Sequence, residues 1–373
     1  MSFEGARDGG AHLDTLHGIP PIEPSASTSP LPRLHPDEPA RSPEYWKQVL
    51  APFKGADTRR SLGQLAVTAG LYLTGWTLML WSLDVHYALT LVLALPMAGL
   101  LMRLFIIQHD CGHGSYFRSR RARDAVGFVL GVMTLTPYQY WRRTHAYHHA
   151  HSGDLDFRGL GDVDTITVRE YRELTGPKRL AYRLYRHPLV LLGLGPAFQF
   201  LIKHRFPWDI PRSRTWRSAW ASVWWTNLAL AGVVAVMAFT VGLQRFVLVQ
   251  GPITLFGCAI GVWLFYVQHQ FEETYWHCHE EWDYFEASLL GSSHLVLPKP
   301  LHWITGHIGL HHIHHLNALI PNYRLAECLR SIPELQQATK IRVRDGWRLL
   351  RLTLWDEEGQ RLIRFRDLRG VPS

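Results

Sequence analysis

Four long apolar runs constrain this chain more than any other feature. Gln64–Leu83, Ser218–Val241 and Phe246–Val267 carry no charged residue, and Tyr87–Ile107 carries only Arg103. A hydrocarbon core of roughly 30 Å needs about 20 apolar residues of helix to cross it. Each run meets that length, so the sequence predicts four transmembrane helices, over about 64–83, 87–107, 218–241 and 246–267. Buried helices of a soluble protein are the alternative, but uncharged runs of about 18 residues or more are the usual signal of a span. Asp84-Val85-His86 joins the first two runs and Gly242-Leu243-Gln244-Arg245 the last two. Links this short force two antiparallel hairpins. Arg103 lies near the end of its run, where a long side chain can snorkel to the interface.

Composition agrees with a membrane protein. Charged residues are 19% of the chain, and Trp occurs 15 times. Trp collects where a protein meets the lipid–water boundary. The net charge of +8 sits beside apolar segments, which favours an anionic membrane surface over nucleic acid as the basic chain's partner. The four cysteines are far apart and show no CxxC, so they frame neither a disulfide set nor a zinc ribbon. Met1–Asp14 lacks the apolar core of a signal peptide, which leaves either a cytosolic protein or one inserted by its own first span.

The segment between the hairpins, from Gln108 to Arg217, is rich in Arg and Lys, whereas the two hairpin turns hold only Arg245. The positive-inside rule puts that segment and both termini in the cytoplasm. The expected fold is an all-α membrane protein. Four transmembrane helices form two hairpins under a cytoplasmic, mostly helical, His-rich cap made by residues 108–217 and 268–373. Two shorter apolar stretches, Ala125–Leu135 and Pro188–Ile202, fall below spanning length and read as interfacial or partly buried. Residues 1–42 combine Pro and Ser and read as a disordered tail. Ser42 and Pro43 are placed as N-cap and first residue of an interfacial helix. A short β-hairpin is expected near the C-terminus, turning at Asp356–Gly359.

Histidine clusters carry the chemistry. They are His109/His113, His145/His148/His149 and His311/His312/His314/His315. Helical residues three and four apart share a face, so each cluster is a multidentate clamp, with His312 pointing away from the other three. Imidazole suits Zn, Cu, Fe and Ni. Eight such rings are too many for one metal and enough for two. The clusters follow the second span, precede the third and lie beyond the fourth, so they converge on one side only if Ala125–Leu135 does not cross. His269, emerging from the fourth span at the depth of His109, is a ninth candidate. Neutral imidazoles leave two divalent cations uncompensated, so supporting carboxylates are expected. Asp110, Asp154, Asp156, Glu272 and Glu273 are candidates, with His307 and His312 as further supporting residues. Trp141 reads as an interfacial anchor. A zinc protease would need His-Glu-x-x-His, which is missing here. A His-rich metal transporter would place its ligands at mid-membrane depth, where these spans have none.

These motifs resemble the integral-membrane fatty acid desaturases. The resemblance rests on His109-Asp-Cys-Gly-His113-Gly-Ser-Tyr-Phe117, on His145–His149 with Ser152-Gly-Asp-Leu-Asp156 and Arg158-Gly-Leu-Gly-Asp-Val163, on Tyr266-Val-Gln-His-Gln-Phe-Glu272, and on Gly309–Leu316 with Ile320-Pro-Asn-Tyr-Arg-Leu325. These flanks are similar to the bacterial acyl-lipid, Δ12/ω-6-like branch. Position 307 is His where many relatives carry Asn. The resemblance implies a non-haem diiron centre with His109, His113, His145, His148, His149, His311, His314 and His315 as ligands, and His269 with them. It also implies O₂ as co-substrate and electrons from an external ferredoxin or cytochrome b5-like donor. The product would be a cis double bond in a fatty acyl chain, made at a bacterial inner membrane. A diiron hydroxylase of alkanes, sterols or carotenoids is the alternative enzyme.

Overall fold

The computed structural model describes residues 42–371. The tail expected over 1–42 therefore lies outside the described residues, except Ser42. That residue caps α1 (Pro43–Leu50) by accepting from the Tyr45 amide, with Pro43 in the first turn. One face of the helix is turned into the protein. Its buried Trp46 and Leu50 join Leu310, Ile313, Leu316 and Leu335 in one apolar cluster of the cap. Burying side chains of this size contributes about 1.5–3 kcal/mol each, which commits that face to protein.

Among the described residues, four helices are long and apolar enough to cross a membrane: α2 (Thr58–Leu83), α3 (Tyr87–His113), and later α9 (Arg217–Thr240) and α10 (Leu243–His269). The helices α3 and α10 continue beyond their apolar runs and end in histidines. Gly114, at φ 82°, stops α3 one residue after His113, in a left-handed conformation that costs glycine little. The two hairpin turns meet, because Arg245 makes paired 2.8 Å bonds to the Asp84 carboxylate. With the turns held together, the opposite ends of α3 and α10 also lie together.

Between the hairpins come α4 (Arg120–Met133) and α5 (Tyr138–His151). The helix α4 has 14 residues and is not a candidate span, as its length implies. It packs on α3 and on α5, where Gly127 lies under the Tyr138 ring. Then follow α6 (Val168–Glu173), α7 (Gly176–Tyr185), a π-helical turn at Val190–Leu194 and α8 (Gly195–Leu201), the last packed on α10. After α10, the cap is completed by α11 (Tyr284–Leu290), α12 (Lys299–Ile304), α13 (His311–Leu316) and α14 (Asn322–Ser331).

Strands are few and short. β4 (Leu354–Asp356) and β5 (Arg361–Ile363) form the expected antiparallel hairpin. Its turn runs over 357–360, one residue later than the sequence suggests, and Gln360 takes a positive φ of 46° there. β1 (Ile166–Thr167) adds to β4 in parallel, and β2 (His294–Val296) pairs with β3 (Lys340–Arg342) in parallel. Two- and three-residue pairings of this kind carry too little alternation to be read from sequence.

Arg103 corrects a second expectation. It does not snorkel; it is buried within the protein, 6% exposed. Its Nε donates to Thr68 Oγ1 at 3.1 Å, its Nη1 donates to the Trp303 carbonyl, and the guanidinium lies 4.1 Å from the Trp303 ring centroid. The cap segment around α12 supplies the oxygen and ring that water would otherwise supply, so Arg103 fastens α12 to α2 and α3.

The seat of α4 on α5 gives a direct test. A Cβ at Gly127 would fall 2.3 Å from the Tyr138 ring. Overpacking of this sort costs about 1–3 kcal/mol. Gly127→Val is expected to lower the melting temperature of the detergent-purified protein by several degrees; an unchanged melting temperature would contradict this packing.

Candidate metal centre

Nine imidazoles gather where α3, α5, α10 and α13 meet. They form two adjacent groups: His109, His113, His145, His149 and His314 in one, His148, His269, His311 and His315 in the other. In each group the candidate ligand atoms lie within 4.8 Å of one another. Every one of these rings is buried except that of His113, which is half-buried.

Helical geometry distributes the rings. On α3 the two histidines are one turn apart. On α5, His145 and His149 face the five-histidine group while His148 faces the other. On α13, His314 joins the first group while His311 and His315 join the second. Each dense cluster therefore straddles both groups instead of serving one. His315 and His149 stack across the boundary, 4.1 Å between centroids.

The nitrogens face inward. His269 Nε2 is 2.9 Å from His311 Nε2, His148 Nε2 is 3.3 Å from His315 Nε2, and His149 Nε2 is 3.0 Å from His314 Nε2 and 3.2 Å from His145 Nε2. Several rings have an acceptor at the outward nitrogen. His109 Nδ1 lies 3.1 Å from Asp110 Oδ1, and His269 Nδ1 lies 3.0 Å from the Gly291 carbonyl. His148 Nδ1 lies 2.7 Å from Asp162 Oδ1, although its N–H direction is not lined up on that oxygen. Such acceptors favour the tautomer with the proton on Nδ1 and leave the Nε2 lone pair pointing inward.

The donor set fits a metal. Burial holds His145, His149, His311, His314 and His315 well below the usual histidine pKa, and neighbouring histidines lower them further. The rings are thus neutral, the form that ligates. A neutral imidazole has only one N–H, so inward-facing nitrogens 3 Å apart cannot all be satisfied by one another. A divalent cation converts that repulsion of lone pairs into coordination.

The other candidates lie as follows. Asp110 touches His109 and also accepts from the Asn322 amide at 2.7 Å and side chain at 2.8 Å, which joins α14 to α3. Asp154 contacts His279 at 2.7 Å, and Asp156 accepts from the His279 amide. Neither bonds to or ion-pairs with the nine rings among the described residues, and burial raises the Asp154 carboxyl above its usual range. Glu272 pairs with Arg348 at the surface, and Glu273 is exposed. His312 turns away to the Leu335 carbonyl at 2.9 Å. His307, at φ 58°, stacks on His302.

Two residues belong here that the sequence reading placed elsewhere or passed over. Trp141 is not simply an interfacial anchor: it stacks on His145 at 4.4 Å and lies 5.4 Å from His109. It sits four residues before His145, a spacing that puts both on one helical face. Asp162 was hidden by its loop. Gly161, at φ 84°, brings that loop against α5, where a Cβ would meet the Thr144 carbonyl at 2.6 Å and the His148 side chain at 3.3 Å. The Gly159-Leu-Gly161 pair was the available signal.

Comparison with known proteins agrees with this site. A sequence model of the fatty acid desaturase family matches residues 85–347. A fatty acid desaturase of Bacillus subtilis (strain 168) is 43% identical over 326 residues, covering 87% of this chain and 91% of that protein. An sn-1 oleoyl-lipid 12-desaturase of Anabaena variabilis is 26% identical, covering 68% of this chain and 72% of that protein. A chloroplastic omega-3 fatty acid desaturase of Glycine max is 28% identical, covering 69% and 55%. With its spanning helices and its histidine groups, this chain belongs to the fatty acid desaturase family, and it is an oxidoreductase of that kind.

Proposed function

We propose that the five- and four-histidine groups each hold one iron ion and that the protein uses O₂ to place a cis double bond in the acyl chain of a membrane lipid. The observation that carries this reading is the division of nine clustered imidazoles into two adjacent sets beside the ends of the spanning helices α3 and α10. An unactivated methylene offers no charge for acid–base catalysis, and the iron pair, when bound, supplies the oxidising power that the side chains lack. A lipid as acyl carrier is supported by the Anabaena relative, whose name specifies an oleoyl-lipid substrate.

The chain's own residues orient and enclose. Asp110 and Asp162 supply one carboxylate to each group, beside Nδ1 of His109 and of His148, and offset positive charge. The Gly291 carbonyl takes the same position beside His269 without a charge. Trp141 and Phe265 cover the rings with apolar surface, Phe265 lying 5.0 Å from His148, which keeps water from the reacting carbons. The basic segment between the hairpins supports a cytoplasmic site in a bacterial inner membrane, with a ferredoxin or cytochrome b5-like protein as electron donor.

Fatty-acid profiling by gas chromatography, in a host without polyunsaturated lipids, tests the reading. A new double bond is expected on expression. A hydroxylated acid, or metal uptake without lipid change, would contradict it. His148→Ala and His314→Ala, one from each group, are each expected to abolish the product; product at wild-type level in either would remove that ring from the ligand set. Loss of a supporting partner typically costs about 10–100-fold in metal affinity or activity. Asp162→Asn keeps an acceptor oxygen but loses the charge, and is expected to fall in that range with the protein still folded. Activity equal to wild type would deny Asp162 a role.

A further inference from the structure

On α6 and α7, away from the histidines, lies a groove of about 460 Å³ lined by Tyr171, Arg179, Leu180, Arg183 and Leu368 among others. Arg179 and Arg183 sit one turn apart, and both guanidiniums lie over the Tyr171 ring, 5.8 and 5.9 Å from its centroid. They are held by neutral oxygens. Arg179 donates to the Tyr171 carbonyl at 3.2 Å, and Arg183 donates to the Tyr171 hydroxyl at 2.6 Å. Neither forms an ion pair among the described residues. Nearby carboxylates are engaged elsewhere: Glu170 with Arg158, Glu357 with Arg169 and Asp367 with Arg364. Glu173, at the end of α6, is exposed to solvent.

The groove opens beside a row of exposed leucines. Leu180 and Leu184 on α7 are 59% and 56% exposed, and Leu189 and Leu194 beyond it are 76% and 72% exposed. Leu191, within that row, is buried in one cluster with Leu264 and Val267 of the spanning helix α10. The segment carrying these leucines is thus packed against the spanning helix α10, and Arg179 and Arg183 each directly precede one of the two exposed leucines of α7. Paired arginines without a carboxylate form a fork for phosphate oxygens, and exposed leucines beside them suit acyl chains.

We propose that this groove binds an anionic phospholipid, its phosphate on Arg179 and Arg183 and its chains along Leu180, Leu184 and Leu189. The site is separate from the metal centre and does not depend on the reading of that centre.

The test uses the full-length protein in detergent, with thermal unfolding read against added lipid. Dioleoyl phosphatidylglycerol is expected to raise the melting temperature by a few degrees, since a ligand bound only by the folded state stabilises it. Dioleoyl phosphatidylcholine and inorganic phosphate are expected to leave it unchanged. The double variant Arg179→Gln/Arg183→Gln should lose the rise while keeping the lipid-free melting temperature. Arg330→Gln/Lys340→Gln, which removes two exposed positive charges elsewhere, should keep the rise. If the double variant does not fold, Arg183→Gln alone is expected to show a smaller rise than wild type. A full rise in the arginine variants, or equal loss in the remote control, would overturn the proposal. So would an equal rise with phosphatidylcholine, which means generic lipid contact, or with phosphate alone, which means a free-anion site.

Discussion

The structure depends on holding neutral imidazoles with their lone pairs toward one another. Nitrogens 2.9–3.3 Å apart in a buried site are costly unless a cation joins them. The protein meets this by over-determining the ring positions. Two of the four contributing helices, α3 and α10, are tied to each other's turns and to neighbouring elements. The hairpin turns are clipped by Arg245 and Asp84 at one end. At the other, Arg103 fastens α12 to the spans, and Asp110 ties α14 to α3.

Interleaving makes the centre a single unit. Because α5 and α13 each give rings to both groups, neither group can form without the two helices that also serve the other. The cap is joined to the spans accordingly. Arg186, fully buried, donates to the Tyr266 hydroxyl at 2.9 Å and to the carbonyls of Leu352 and Asp164 at 2.9 and 2.8 Å. It therefore binds the chain after α7 to α10 and to the strand hairpin around β4. The oxidation of an apolar chain calls for this rigidity, since the protein's task is to hold a methylene pair in register and keep water away.

Much of this was legible in the sequence, for physical reasons. Uncharged runs longer than a bilayer is thick have few other uses, so the hairpins were readable. Helical spacing within the histidine clusters was readable too, as was the ninth ring at His269, from its depth at the end of a span. Spacing could not reveal that His148 parts company with His145 and His149, because it gives the shared face of a helix but not what stands on either side of it. Supporting residues were harder still. Asp162 reaches His148 through a glycine-permitted loop, whereas Asp154, nearer in sequence, meets His279 instead. Arg103 looked like a snorkelling cation because nothing in the local sequence announces Trp303, 200 residues away, as its partner. Local pattern fixes periodicity, but long-range partners require the fold.

The central claim is that each imidazole group holds one iron. Metal analysis of the purified wild-type protein, with iron, zinc and copper quantified against protein concentration, tests it most directly. Iron is expected in a ratio of two per chain, one for each group. A ratio of one, or occupancy by zinc with an active enzyme, would contradict it.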